Sequence, residues 1–314
     1  MTPRQRFDIA LGALTITLAV GVVSAPAQAA VPQFERVQSK ACRALALDQE
    51  PYVAALGDVS VTVTDKRGTH EEPLPEALRG ASVSVGVFFG RDYRVRIAGT
   101  AHTPQGDEVR YYRSLPGGLR PALDELGQLG KRGAPGLVAL LGTADPEIVC
   151  RPGESCLIKR VSGWRKIAAP AGLSRVGLSL GSGWAIAGTT FFNLDKDWAA
   201  LGAKGPWREA DDAFVRGAEA CVVEHDQDRL HHFDGKAWQS SASPVKGPRS
   251  LWGDDEVLWV AGDGGAALLG EGDTFQQAGG VGHIAQVLGR PGGDVWLCGD
   301  QGVFRARRGS SRAP

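Results

Sequence analysis

The chain has 314 residues, 35 basic against 35 acidic side chains, and a pI near 7.0. That balance excludes the basic footprint of a nucleic-acid-binding domain, and no block of like charge marks a polyelectrolyte partner. With 43 glycines and 43% hydrophobic residues, the composition predicts a folded chain of short strands and tight turns with a sizeable core.

Residues 1–29 read as a secretory signal peptide. Arg4 and Arg6 precede an apolar run of 15 residues, 9–23, and Ala27-Gln28-Ala29 is an A-x-A cleavage site. A run of that length is short of the roughly 20 residues that span a bilayer. The remainder, 30–314, is expected to be a single exported domain, periplasmic or extracellular, with no transmembrane segment. Phe34-Glu35-Arg36-Val37 follows directly and has the composition of a strand.

Short apolar segments ending in Gly then recur, with their glycines at 57, 90, 142, 181, 217, 253 and 289. A second strand follows each one, anchored at Val61, Val95, Ile148, Trp184, Cys221, Trp259 and Trp296. The last four anchors are 37, 38 and 37 residues apart. A fixed period in this range is the mark of a repeated supersecondary unit. The residues two positions beyond the anchors are Val63, Ile97, Cys150, Ile186, Val223, Ala261 and Cys298. Residues two apart share one face of a strand, so these small or apolar side chains predict a buried face between stacked sheets.

Third strands are expected at 157–160, 230–233, 266–269 and 303–306, and fourth strands at Trp164, Trp198, Trp238 and Phe275. Three or four strands per unit of about 40 residues is propeller-blade geometry. The 285 residues after the signal peptide divide into about seven such blades, with six as the alternative. The widest glycine spacing, 52 residues, contains a segment at 119–131 with Leu123, Leu126 and Leu129 at three-residue steps and glycines at its end. It predicts a short helical insertion on one rim. The final blade runs out of chain, so the strand at 34–37 is expected to supply its outer strand and close the ring.

The runs Leu258-Trp259-Val260-Ala261-Gly262-Asp263-Gly264-Gly265 and Val295-Trp296-Leu297-Cys298-Gly299-Asp300-Gln301-Gly302 resemble the V-W-x-x-G-x-x-G phrase of bacterial exported β-propellers. Asp234-Gly235-Lys236-Ala237-Trp238 resembles their D-G-x-x-W turn. The resemblance implies a propeller of the broad WD-repeat-like or sialidase-like group. It covers 138–306 well and 53–115 weakly, the S-x-D-x-G-x-x-W box is nowhere complete, and no family residue carries over as catalytic.

Five cysteines suit an oxidising compartment. Cys150 and Cys156 flank a turn-like stretch and are expected to form a disulfide across a hairpin. The pairing of Cys42, Cys221 and Cys298 stays open, with at least one thiol left over. The densest polar cluster is Glu224, His225, Asp226, Asp228, His231, His232 and Asp234. His225, Asp226, Asp228 and His231 have the ligand types for a divalent metal, yet their spacing matches no metal motif and a solvated turn explains them. Glu224 departs from the later blades, which have Gly262 and Gly299 there. Gly181-Ser182-Gly183 lacks the spacing of a nucleophile elbow, and Glu209, Asp211 and Asp212 read as surface carboxylates between blades.

The sequence therefore predicts an exported all-β propeller without cofactor or assignable catalytic residue, recognising a protein or cell-surface polymer through rim loops. The alternative is a propeller enzyme acting on glycans or esters, with the 119–131 insertion as its lid.

Overall fold

The computed structural model describes residues 33–307, apart from 49–52, 66–67, 80–82, 89–93, 105, 116–117, 122–135, 141–146, 161–162, 180, 195–197, 203, 256, 270–274 and 279–280. The segment read as a signal peptide, with its cleavage site, lies outside the described residues.

Seven antiparallel sheets of four strands form a propeller. The first described strand is β1 (Phe34–Gln38). Blade 1 is β2 (Ala44–Leu47), β3 (Val53–Leu56), β4 (Ser60–Asp65) and β5 (Gly68–Pro73). Blade 2 is β6 (Val83–Phe88), β7 (Arg94–Thr103), β8 (Gly106–Leu115) and β9 (Gly118–Pro121). Blade 3 is β10 (Leu137–Ala139), β11 (Glu147–Arg151), β12 (Ser155–Arg160) and β13 (Gly163–Ala168). Blade 4 is β14 (Leu173–Ser179), β15 (Ser182–Ala187), β16 (Thr190–Asn193) and β17 (Ala199–Ala200). Blade 5 is β18 (Asp212–Arg216), β19 (Glu219–Glu224), β20 (Arg229–Phe233) and β21 (Trp238–Ala242). Blade 6 is β22 (Pro248–Gly253), β23 (Leu258–Gly262), β24 (Gly265–Leu269) and β25 (Phe275–Ala278). Blade 7 is β26 (Ile284–Gly289), β27 (Val295–Gly299) and β28 (Gly302–Ala306), completed by β1.

The period fixed the blades because it counts turns. The anchors of blades 2 to 7 all lie on second strands, and Val95, Ile148, Trp184, Trp259 and Trp296 are at most 5% exposed. Apolar clusters fill the seams between neighbouring blades. One joins Trp259 of blade 6, Trp296 of blade 7 and Leu45 of blade 1; another joins Ile186 and Phe191 of blade 4 to Val215 and Val222 of blade 5.

Closure follows expectation. Phe34 pairs with Ala306 and Glu35 with Arg305, so β1 is the outer strand of blade 7. The Phe34 ring meets Trp259 edge-on at 6.0 Å. A disulfide joins Cys42, just before β2, to Cys298 of β27, across 256 residues of chain. Its Cα atoms are 5.4 Å apart. The amide of Cys42 donates to the carbonyl of Gly299 at 2.9 Å beside it.

One expectation is corrected outright and a second at its first residues. In blade 1 the segment ending at Gly57 is the second strand, not the first, and Val61 sits on the third. The innermost strand is β2, an apolar Ala-Leu-Ala-Leu run without the terminal glycine on which the pattern depended. In the predicted helical insertion, residues 119–121 belong to β9, paired with β8 from Tyr112–Pro121 to Leu115–Gly118. The rest of that segment falls outside the described residues. A 3-10 turn lies at Glu76–Leu78, and Leu194 is also in 3-10 conformation.

Innermost strands of neighbouring blades do not form a ladder, so their backbone groups need other partners. Side chains supply them. Leu251 N–H donates to Asp212 Oδ2 at 2.8 Å, Val287 N–H to Ser250 Oγ at 3.2 Å, and Leu45 N–H to Gln286 Oε1 at 2.5 Å. Asp212, Ser250 and Gln286 hold one register position, opposite Val223, Ala261 and Cys298. Blade 4 has Arg175 there, opposite Ile186. A guanidinium cannot accept a hydrogen bond, and Arg175 instead lines the central channel.

Candidate functional site

Antiparallel alternation puts the loops leading into innermost strands and the second-to-third strand turns on one face, here called the upper face. The polar cluster read from sequence divides there into separate parts.

Glu224 ends β19 and is 4% exposed. Its Oε1 accepts the amides of Arg208 at 2.9 Å and Glu209 at 3.3 Å, from the loop entering blade 5. Its Oε2 lies 3.3 Å from His231 Nε2, and His231 Nδ1 lies 2.8 Å from Ser240 Oγ. Trp207 packs over the imidazole at 5.9 Å and donates its indole N–H to Gly188 O at 3.0 Å. The order Ser-His-Glu resembles a hydrolytic triad. Yet His231 is 2% exposed and Glu224 is committed to two backbone amides, so this array serves as a bolt between loop and blade. Burial pushes the His231 pKa down, against the pull of Glu224.

The spacing signal at Glu224 has a structural cause. At the matching ends of β23 and β27 are Gly262 and Gly299. A Cβ on Gly262 would collide with the Gly247 carbonyl, and one on Gly299 with the His283 carbonyl. In those blades the incoming loop backbone lies directly on the strand; in blade 5 a carboxylate reaches out to hold it.

His225 belongs to a different group. Asp263, on the turn of blade 6, accepts from Arg249 Nε at 2.8 Å through Oδ1, and the same oxygen is 2.7 Å from His283 Nδ1. Its Oδ2 is 3.0 Å from His225 Nε2. One carboxylate therefore links blades 5, 6 and 7. The hydrogen bond from Arg249 first, and then that from His225, holds the Asp263 pKa well below the usual carboxylate range. Hydrogen bonds to Asp226 and then Asp263 raise the His225 pKa.

The metal candidates are thus dispersed. Asp226 touches His225 at 3.0 Å, Asp228 accepts the amide of Gly247 at 2.5 Å, and His231 is sealed beneath Trp207. Among the described residues no three His, Cys, Asp or Glu are placed to hold a metal ion. Cys150 and Cys156 face each other across β11 and β12 and are joined as a disulfide, with Cα atoms 4.0 Å apart. Cys221 is the thiol left over, and burial pushes its pKa up to about 12.

The innermost strands enclose a channel. A cavity of 170 Å³ lies along it, and a second of 390 Å³ opens at the upper mouth. The two share Ser84, Val138, Arg175, Val176 and Asp211. Asp212, read from sequence as a surface residue, lines the inner cavity. Desolvation raises its pKa to about 6, opposed by hydrogen bonds from Leu251, Ala213 and Ser250. Glu209 is the surface carboxylate of the three, with a side chain 76% exposed. Arg175 and Ser84 were not singled out by sequence; nothing local marks a residue as lining a channel built from six other segments.

No family profile matches the chain, and no curated protein sequence is similar to it. Solved propellers are similar in fold. The structure of YCF48 bound to D1 peptide superposes with a TM-score of 0.62 at 13% identity, over 90% of this chain and 98% of that one. The WD40 propeller domain of Doa1 gives 0.57 at 10% identity, over 90% and 97%. The extracellular domain of the putative hybrid two-component system BT4673 from B. thetaiotaomicron gives 0.58 at 9% identity, over 89% of this chain and 40% of that one. At these identities the likeness is one of fold, a seven-bladed β-propeller. Among the described residues no helix is long and apolar enough to cross a membrane.

Proposed function

We propose that this chain is an exported propeller scaffold that binds a protein partner, or a polymer of the cell surface, through the loops and channel mouth of its upper face. The observation that carries the reading is the mouth itself: an open cavity of 390 Å³, bordered by polar groups and continuous with the channel. This is the size and place expected of a recognition site on such a scaffold. The Glu224-His231-Ser240 array, which has catalytic residue types, is buried at its imidazole and bound to backbone, which supports binding rather than chemistry. A propeller of similar fold, YCF48, is bound to a peptide. Export is supported by the signal-peptide reading, by the two disulfides, and by the extracellular domains among similar structures.

Residues 30–314, used as bait in an envelope extract of the source organism, are expected to capture one stoichiometric partner. Reversing exposed upper-face charges, as in Glu209→Lys with Lys246→Glu, is expected to abolish capture; the lower-face control Lys236→Glu is expected to retain it. No partner under gentle cross-linking would overturn the scaffold reading. Loss only in the Lys236→Glu variant would move recognition to the other face.

A further inference from the structure

We infer that the channel mouth takes a carboxylate, carried by a peptide segment of the partner as its free C-terminus or as an Asp or Glu side chain. This rests on the protein-binding reading and assigns the chemistry of its site.

The hydrogen-bonding inventory of the two cavities is lopsided. Asp212 is served at both carboxylate oxygens and Asp211 at one. Asp212 accepts from Ala213 N–H at 2.8 Å, Leu251 N–H at 2.8 Å and Ser250 O–H at 2.9 Å, and Asp211 accepts from His225 N–H at 2.7 Å. The donors are not. Arg175 has five N–H groups, and its closest partners are the Ser174 carbonyl at 3.5 Å and the exposed Glu209 carboxylate at 3.8 Å. Ser84 Oγ accepts the Leu140 amide at 3.0 Å, which leaves its own hydrogen to donate. The indole N–H of Trp184, a residue 3% exposed on the wall of the inner cavity, has no acceptor. Ser84, Arg175 and Trp184 all line the inner cavity with donor capacity to spare, against a single carboxylate oxygen, Asp211 Oδ1, with no donor of its own.

An anion with oxygen acceptors answers that imbalance, and a guanidinium in a partly desolvated mouth binds a planar carboxylate through two parallel hydrogen bonds. The register explains why the group is available. Where Asp212, Ser250 and Gln286 accept amides from the next blade, Arg175 cannot accept, and it lines the channel with its side chain 40% exposed. Glu209 lies beyond hydrogen-bond distance in solvent and is readily displaced. The remaining wall of the mouth is aliphatic: Val83, Leu137, Val138 and Val176. Such a wall suits the carbon skeleton of a peptide residue better than a free inorganic ion.

The test uses fluorescein-labelled octapeptide pools and the protein spanning 30–314, with affinity read by anisotropy at pH 7. One pool has free C-termini without Asp or Glu; a second is C-terminally amidated but contains Asp and Glu; a third is amidated and lacks both. Either of the first two is expected to bind at least tenfold more tightly than the third, and which one does identifies the carboxylate source. Arg175→Gln is expected to lose at least tenfold, Arg175→Lys to recover part of it, and Lys236→Gln to bind as the parent does. The Trp184 indole ¹⁵N–H resonance is expected to shift on binding. Equal binding of all pools, no binding of any pool, or an unchanged Arg175→Gln affinity overturns the inference. If the envelope bait captures a partner that the Arg175→Gln variant captures equally well, the scaffold reading stands and the carboxylate site falls; if it captures none, the scaffold reading itself falls.

Discussion

Glu224 of blade 5 and Gly262 of blade 6 hold one position, the last residue of the second strand, and solve one problem in opposite ways. Gly262 has no side chain, so the incoming carbonyl of Gly247 lies where a Cβ would be. Glu224 extends its carboxylate to the amides of Arg208 and Glu209. Glu224→Ala is expected to strand two backbone donors and His231, at a cost of about 2–3 kcal/mol. Urea denaturation gives that difference directly. Because Glu224→Gly also removes the acceptor, it is expected to be no better than alanine, whatever the precedent of the later blades. A glycine variant as stable as the parent would show that the loop needs no acceptor.

The Cys42–Cys298 disulfide joins the first blade to the last across 256 residues. A bond that closes so long a loop restricts the unfolded chain strongly, and its removal is expected to cost on the order of 3–5 kcal/mol. The Cys42→Ser/Cys298→Ser double variant should therefore melt well below the Cys150→Ser/Cys156→Ser variant, whose bridge spans only 6 residues. Paired calorimetric scans decide the order; the reverse order would mean that β1 alone carries closure.

Deletion of residues 31–38 removes β1 and bares the edge of β28, and it takes away the Phe34 ring that packs edge-on against Trp259. An unprotected edge strand recruits other strands. The truncated chain is expected to melt at markedly lower temperature and to associate on light scattering. A monomer with an unchanged melt would show that the fourth strand of blade 7 is dispensable.

Two groups give stability opposite dependences on pH. The Asp212 pKa is raised from 3.8 to about 6. Its folded state therefore binds a proton that the unfolded chain has released, and its contribution is complete below about 4 and lost as pH rises through about 6. Asp263 is depressed, so its contribution is present above the unfolded carboxylate value near 4 and lost as pH falls. Asp212→Asn is expected to gain stability relative to the parent between about pH 4 and 7, and Asp263→Asn to lose it above about pH 4. Melting curves across that range check both slopes; parallel curves for parent and Asp212→Asn would mean that its carboxyl titrates as in water.

The sequence alone determined the repeat, and through it the class of fold and the closing strand; it left six or seven blades open, and the seven four-stranded sheets decided the count. Trp184, Trp259 and Trp296 recur because an apolar side chain of the second strand fills the seam between sheets, and that need is local and periodic. It did not locate β2, because Ala44–Leu47 satisfies the same packing with a run that lacks the glycine signal. The site was legible only at Glu224, where a glycine position had been replaced. Tertiary structure decided the rest. Asp263 collects Arg249, His225 and His283, and Arg175 and Ser84 border one cavity at the mouth, because the ring brings together residues from different blades. A channel is the absence left by all the innermost strands at once. Periodicity reports what one blade repeats, and closure of the ring sets which of its few departures face one another.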